Sequence, residues 1–292
     1  MQPQPAFRFN HTSPVFMTAT SNDEMQNSEL VWRFPPASCV LALKETHVWC
    51  APVDMEINAY RDIAASLSAQ ELQRASTLGS AQIKHRFMTS RALLRNILSR
   101  YLHLSAERIS IAYSPSGKPR LDSQHRESDI MFSIAHSGDL TLIAITTNSE
   151  IGIDIERIRT MEMSGIIASQ FFSKDERLEL QNSPPRERLE GFFNCWTRKE
   201  AYLKAIGGNK IIEPNSIDVS IAAEAPARIL KIAGDGFEAS QWSIRSLLPA
   251  PGYVAAVAVR CKGAKLSCLQ WPETPATCIP LSYRYSLSAQ SN

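Results

Sequence analysis

The run Ile151-Gly152-Ile153-Asp154-Ile155-Glu156 alternates without a break between isoleucine and a small or acidic residue. Successive side chains leave a strand on opposite faces, so an extended segment turns its isoleucines to one layer and Gly152, Asp154 and Glu156 to the other. A helix would scatter both sets around its axis, which commits the segment to a strand with an apolar layer beneath it. The two carboxylates then converge on the opposite side. Like charges this close raise each other's pKa unless a cation lies between them. A magnesium ion is one answer, because it takes only one or two protein carboxylates and completes its shell with water and phosphate oxygens. An exposed pair with Arg or Lys is the plain alternative.

A second segment sharpens the choice. Ser183-Pro184-Pro185 supplies an N-cap and prolines suited to a first helical turn, and Gly207-Gly208 supplies a stop. Between them Leu189, Phe193, Trp196, Glu200 and Leu203 recur at helical spacing and share one stripe. Glu200 interrupts that stripe, where an ionised carboxylate is costly unless paired or metal-bound. Lys204 follows one turn on, and Lys199 projects roughly 100° away. The plain reading is a Glu200–Lys204 pair on a helix surface, favourable by about 0.2–0.5 kcal/mol. Taken with the strand carboxylates, three acids and two lysines form a set suited to a metal and a phosphate together, which points to phosphoryl transfer.

The rest of the chain supplies the frame. Residues 1–38 are rich in Gln, Ser, Thr, Asn and Pro and are expected to be an extension, and 263–292 lose periodicity and are expected to be a tail. An N-terminal lobe is expected over 39–148, with a strand at 48–53, helical patterns over 67–102 broken near Gly79, and strands at 109–113, 130–134 and 140–146. A C-terminal lobe is expected over 149–262, with strands at 216–221, 228–232, 241–247 and 253–259 following the long helix. The fold class is α+β, with two similar lobes. No stretch is apolar for long enough to span a bilayer, and a net charge of +2 argues for neither a nucleic-acid nor a membrane partner. The six cysteines hold no C-x-x-C pair, so zinc is not expected and cytoplasmic free thiols are. Basic residues do gather locally: Arg74, Lys84, Arg86, Arg91, Arg95 and Arg100 lie in a stretch without an acid.

Gly152 to Glu156, followed by Trp196-Thr197-Arg198-Lys199-Glu200-Ala201-Tyr202-Leu203-Lys204-Ala205, closely resembles the paired signatures of the 4′-phosphopantetheinyl transferases, in particular their two-lobed Sfp-like class. Gly117-Lys118-Pro119 and Phe132-Ser133-Ile134-Ala135-His136-Ser137 resemble two further blocks of that family, in the family's order, with a weaker match at His85-Arg86. The resemblance implies lobes that each pack a small, mainly antiparallel sheet on a long helix, related by a pseudo-twofold in a monomer. It implies that Asp154, Glu156 and Glu200 hold Mg2+ (Mn2+ being the alternative ion) with the coenzyme A pyrophosphate. It further implies that Arg86, Lys118, His136 and Ser137 bind coenzyme A, that Lys199 and Lys204 face its phosphates, and that Glu200 activates the serine of an acyl carrier protein or peptidyl carrier domain. Ala135 departs from the Ser common among relatives, with Ser133 and Ser137 at hand to replace the contact. Each of these residues also has a plain reading: Lys118 as a turn lysine, His136 as a structural histidine, Trp196 as core. The competing functions are a non-catalytic coenzyme A or carrier-protein binding module, a phosphotransferase of another fold, for which the Gly-rich phosphate loop is missing, and a nucleic-acid binder, for which the basic stretch lacks interleaved aromatics.

Overall fold

Both periodicities in the sequence come out as layers. The computed structural model describes residues 30–36, 39–55, 57–125, 127–161, 164–207, 212–222 and 225–272. The first half runs β1 (Trp32–Arg33), β2 (Glu45–Pro52), α1 (Ile57–Ala64), α2 (Ala69–Ser76), α3 (Ala81–Leu102), β3 (Ile111–Tyr113), β4 (Pro119–Leu121), β5 (Ile130–Ser137) and β6 (Leu140–Thr147). The second runs β7 (Ile151–Arg157), α4 (Ser164–Phe171), α5 (Lys174–Asn182), α6 (Pro185–Ile206), β8 (Ile217–Val219), β9 (Ile229–Ile232), α7 (Gly236–Ser240), β10 (Ser243–Leu247), β11 (Tyr253–Val259) and β12 (Lys265–Gln270). The class is α+β.

A five-stranded sheet has the order β1-β12-β2-β6-β5, and a three-stranded antiparallel sheet has the order β10-β11-β7. One face of the larger sheet, with Trp49, Ala51, Ile143 and Ile145, packs on Leu93, Leu94, Ile97 and Leu98 of α3. Its other face, with Val48, Cys50, Leu142 and Ala144, shares a core with Ile151, Ile153 and Ile155 of the smaller sheet. The far face of the smaller sheet, with Val254, Ala256 and Ala258, packs on Phe192, Phe193 and Tyr202 of α6. The alternation of single strands thus sorts residues between cores, giving helix, sheet, sheet and helix in turn. The two sheets also meet side by side, where the Ser133 and Ser137 hydroxyls accept from the backbone N–H of Ile153 and Arg157.

The expected tail requires correction. β12 lies within 263–292, yet it is inserted between β1 and β2 and pairs with both in parallel. β1 in turn comes from the expected extension. A parallel partner separated by most of the chain leaves no local signature, and the alternation of Leu266, Cys268 and Gln270 is short. Residues 1–29 and 273–292 lie outside the described residues. Four short helices, α1, α4, α5 and α7, were not expected either, because at five to nine residues they hold too little periodicity to register. The two long helices fall where expected. α3 begins at the Ser80 cap after Gly79, and α6 ends at Gly207, whose φ of 62° no side chain adopts cheaply.

Candidate active site between β7 and α6

Gly152 decides how closely β7 and α6 approach. A Cβ at that position would drive into the Ala201 carbonyl oxygen and the Ala205 amide nitrogen, so strand and helix backbones touch there. One alternation further along β7 stands Asp154, and one turn back along α6 stands Glu200. The close approach brings both to the wall of a cavity of about 450 Å3, together with Glu156 and Lys204. β5 supplies Ile134, Ala135 and His136 to the same wall, and α3 supplies Phe87, Ser90 and Arg91.

The electrostatics of this cavity are unbalanced. Lys204 Nζ lies 2.6 Å from Asp154 Oδ1, but the buried Asp154 Oδ2 has no partner. Burial pushes the Asp154 carboxyl up to about 7, and the neighbouring charges of Glu200 and Glu156 add to this against the pull of Lys204. Glu200 is also raised, by burial first and then by Glu156, with Lys204 opposing. His136 is held below the usual imidazole range by burial, then by Lys204, Arg91 and Arg86. The Ser137 hydroxyl donates to Glu156 Oε2 at 3.0 Å and fixes that carboxylate. Two further polar atoms, Ser90 Oγ and Arg91 Nη1, are also buried without partners in residues of this wall. Such orphans are costly in a folded chain and call for a polar ligand.

The donor set suits a hard divalent cation: oxygen ligands, three carboxyl groups, and an unpartnered carboxylate oxygen. Among the described residues no three such side chains already close around one point. Magnesium does not require that, since it keeps waters and substrate oxygens in its shell.

The structure thus gathers Asp154, Glu156, Glu200, Lys204 and His136, with Ser137 behind them. It does not bring in the other expected residues. Lys199 needs correction: it is buried on another face of α6, turned away from the cavity, with Nζ 2.6 Å from Glu176 Oε2 and bonded to the Pro214 and Ile217 carbonyls. Phe192, Cys195, Lys199, Tyr202 and Ile206 form a buried stripe of α6, whereas Trp196, Glu200 and Leu203 are half-buried. The apolar pattern misplaced the core face because a lysine neutralised by a distant glutamate reads as polar. Lys118 does not face the cavity either; its ammonium bonds to the carbonyls of Ile151 and Ala205. Arg86 is held between Asp54 at 3.0 Å and Asp139 at 2.7 Å, which raise its pKa. Trp196 is both core and wall, packed on Phe171 with ring centroids 5.2 Å apart. The plain Glu200–Lys204 pair is replaced by Lys204–Asp154.

Arg91 is the residue that the sequence argument left in a general basic face. Its guanidinium lies 5.3 Å from the Phe87 ring centroid and 5.7 Å from that of Tyr113, with Arg74 on the same two rings. The four-residue step from Phe87 to Arg91 was the available signal, since it places ring and cation on one face.

Comparison with known proteins identifies the family. A family model described as the 4′-phosphopantetheinyl transferase superfamily matches residues 150–258, and another described as 4′-phosphopantetheinyl transferase, N-terminal, matches 54–148. The 4′-phosphopantetheinyl transferase HetI of Nostoc sp. is 34% identical over 228 residues, covering 78% of this chain and 93% of that protein. The 4′-phosphopantetheinyl transferase gsp of Aneurinibacillus migulanus is 32% identical over 165 residues, covering 56% of this chain and 66% of that one. A solved Chronobacterium ammoniagenes ACPS-CoA complex aligns with a TM-score of 0.30 and 19% identity, over 38% of this chain and 95% of that one, too loose a likeness to bear an argument. The protein is an enzyme, a transferase. It belongs to the 4′-phosphopantetheinyl transferase superfamily, in the Sfp-like class.

Proposed function

We propose that this enzyme moves the 4′-phosphopantetheine arm of coenzyme A to a serine of an acyl carrier protein or peptidyl carrier domain, releasing adenosine 3′,5′-bisphosphate. The serine oxygen bonds to the β-phosphorus, the pyrophosphate bridge breaks, and the hydroxyl proton leaves to a base. The observation that carries the reading is the unpartnered, buried Asp154 Oδ2 in a wall shared with Glu156, Glu200 and Lys204. Asp154, Glu156 and Glu200 would hold Mg2+, which supplies neutralisation of the pyrophosphate charge.

The remaining chemistry belongs to the chain's own groups. Lys204 offsets negative charge that gathers on the reacting phosphate. Glu200, its pKa raised towards the working range, accepts the serine proton directly or through a water. Ser137 keeps Glu156 oriented. Arg91 and His136, from facing elements, receive the 3′-phosphate of the donor, with Ser90 beside them. Arg86 stands behind, its charge fixed by Asp54 and Asp139. The reading also takes the protein as a cytoplasmic monomer whose two halves are lobes related by a pseudo-twofold. The repeated order of short helix, long helix, short hairpin and sheet strands supports that arrangement.

Apo carrier protein incubated with coenzyme A, Mg2+ and the enzyme gains the mass of one phosphopantetheine arm, followed by intact-mass spectrometry. Glu200→Gln abolishes the gain while the melting curve stays cooperative, and excess EDTA stops the wild type. Full turnover by Glu200→Gln, or indifference to EDTA, would overturn the assignment.

A further inference from the structure

The hairpin of β3 and β4 does something the reaction chemistry alone does not call for. At its tip Gly117 has a φ of 82°, which lets Lys118 turn away from the active-site cavity while the next residue, Pro119, lines it. Lys118 Nζ donates to the Ile151 carbonyl at 2.8 Å and to the Ala205 carbonyl at 2.9 Å. The first is the opening residue of β7, and the second is among the last carbonyls of α6, which have no partner within the helix. Ser116 Oγ, from the same tip, donates to the Gly207 carbonyl at 2.5 Å, one step past the helix end. These bonds sit beside Gly152, where the two backbones are pressed together. A cation at a helix C-terminus is favoured by the helix dipole, and here it bridges helix and strand as well. The ammonium is buried deeply enough that its pKa falls to about 8.

We infer that Lys118 is a positioning residue: it clamps the end of α6 to the start of β7, and so sets where Glu200 and Lys204 stand against Asp154 and Glu156. The inference rests on the proposed transfer reaction, and it departs from the expectation that Lys118 touches coenzyme A. A donor contact would show in the KM for coenzyme A. A clamp instead shows in kcat, in the ion dependence and in the stability of the helix end.

Lys118→Met keeps the stem and removes the donors. It is expected to lower kcat by about tenfold and to raise the Mg2+ concentration for half-maximal rate severalfold, while the KM for coenzyme A stays within about twofold. Amide hydrogen exchange over residues 200–206 should speed up by about tenfold. Lys118→Arg, which keeps charge and donors, should recover most of both effects, and Ser116→Ala should shift both in the same direction by less. A rise in KM for coenzyme A of tenfold with unchanged exchange would assign Lys118 to the donor and overturn the clamp. Unchanged exchange in Lys118→Met overturns it whether or not the wild type transfers an arm, because the exchange arm does not use the reaction. Absence of transfer by the wild type would instead fail the proposed function, leaving the exchange measurement to decide the clamp.

Discussion

Asp154 of β7 and Trp49 of β2 each lie on a strand face turned to a long helix, α6 for the one and α3 for the other, in the two halves that the proposed reading takes as related lobes. In the first half, Ser68 and Glu71 form a capping box at the start of α2, and Glu71 reaches Arg95 of α3 at 2.7 Å. Arg95 also donates to the Ala106 and Ile109 carbonyls around a 3-10 turn. In the second half, Ser173 and Glu176 cap α5, Glu176 reaches Lys199 of α6, and Lys199 donates to the Pro214 and Ile217 carbonyls around a 3-10 turn. Each half thus buries one charge pair whose cation donates to carbonyls, although Glu71 Oε1 has no partner where Glu176 Oε1 accepts from the Val219 N–H. Counting from the buried cation, Asn96 matches Glu200 and Arg100 matches Lys204. On the strand faces turned to the long helices, Trp49 and Ala51 match Asp154 and Glu156. Arg100 lies over the rings of Trp49 and Trp271 at 5.4 and 5.2 Å, where Lys204 meets Asp154 at 2.6 Å.

The two places are similarly deep: Trp49 is fully buried and Asp154 is 6% exposed. Depth therefore does not make the site. An aromatic ring satisfies the cation in the first half and leaves nothing to bind, whereas an acid in the second half leaves an oxygen without a partner. The two places differ in which residue faces the helix, a ring at one and an acid at the other.

Removing one partner of each buried pair tests whether the scaffolds are equivalent. Lys199→Met and Arg95→Met should each lose about 3–5 kcal/mol in urea unfolding, since each leaves a buried carboxylate uncompensated. Neither residue lines the cavity, so activity per folded molecule should hold. A loss of transfer beyond the loss of folded protein in Lys199→Met would return that lysine to the phosphates.

Exchanging the long-helix cations tests the contrast in chemistry. Lys204→Met should cut transfer by about a hundredfold, the scale of one lost charge contact at a transition state. Arg100→Met should leave transfer within about twofold and cost about 1 kcal/mol, the scale of a cation–π contact. Comparable losses in both would erase the distinction between the halves.

The smallest effect concerns pH. The folded-state pKa of Asp154 lies near 7, above the ordinary 3.8, so the unfolded chain ionises first as pH rises. Stability from this group is therefore present below about pH 4 and lost as pH climbs to about 7. Glu200 acts in the same direction, and His136, with its lowered pKa, acts in the opposite one below its ordinary value. Between pH 5 and 7.5, Tm in EDTA should fall by a few degrees more for wild type than for Asp154→Asn. Mg2+ should raise Tm more at pH 7.5 than at pH 5, because fewer protons compete for the carboxylates there. Equal pH slopes for wild type and Asp154→Asn would mean that the carboxylate is not stressed by burial.

The sequence by itself determined the strand from Ile151 to Glu156, with Asp154 and Glu156 on one face of it, and the limits of α6, with Glu200 and Lys204 one turn apart on it, because strand alternation and helix spacing are local and hold in any tertiary setting. Its motifs also led to the right family. Only the tertiary structure decided which cation serves which partner. Lys199 and Lys204 lie on one helix close in sequence, yet one is taken by Glu176 of α5 and the other by Asp154 of β7. It likewise turned Lys118 to two carbonyls, left Arg91 Nη1 unpartnered, and brought β12 back between β1 and β2. Charge pairing and parallel strand pairing are contacts between distant parts of the chain, and a pattern read along the chain carries no record of which distant group arrives.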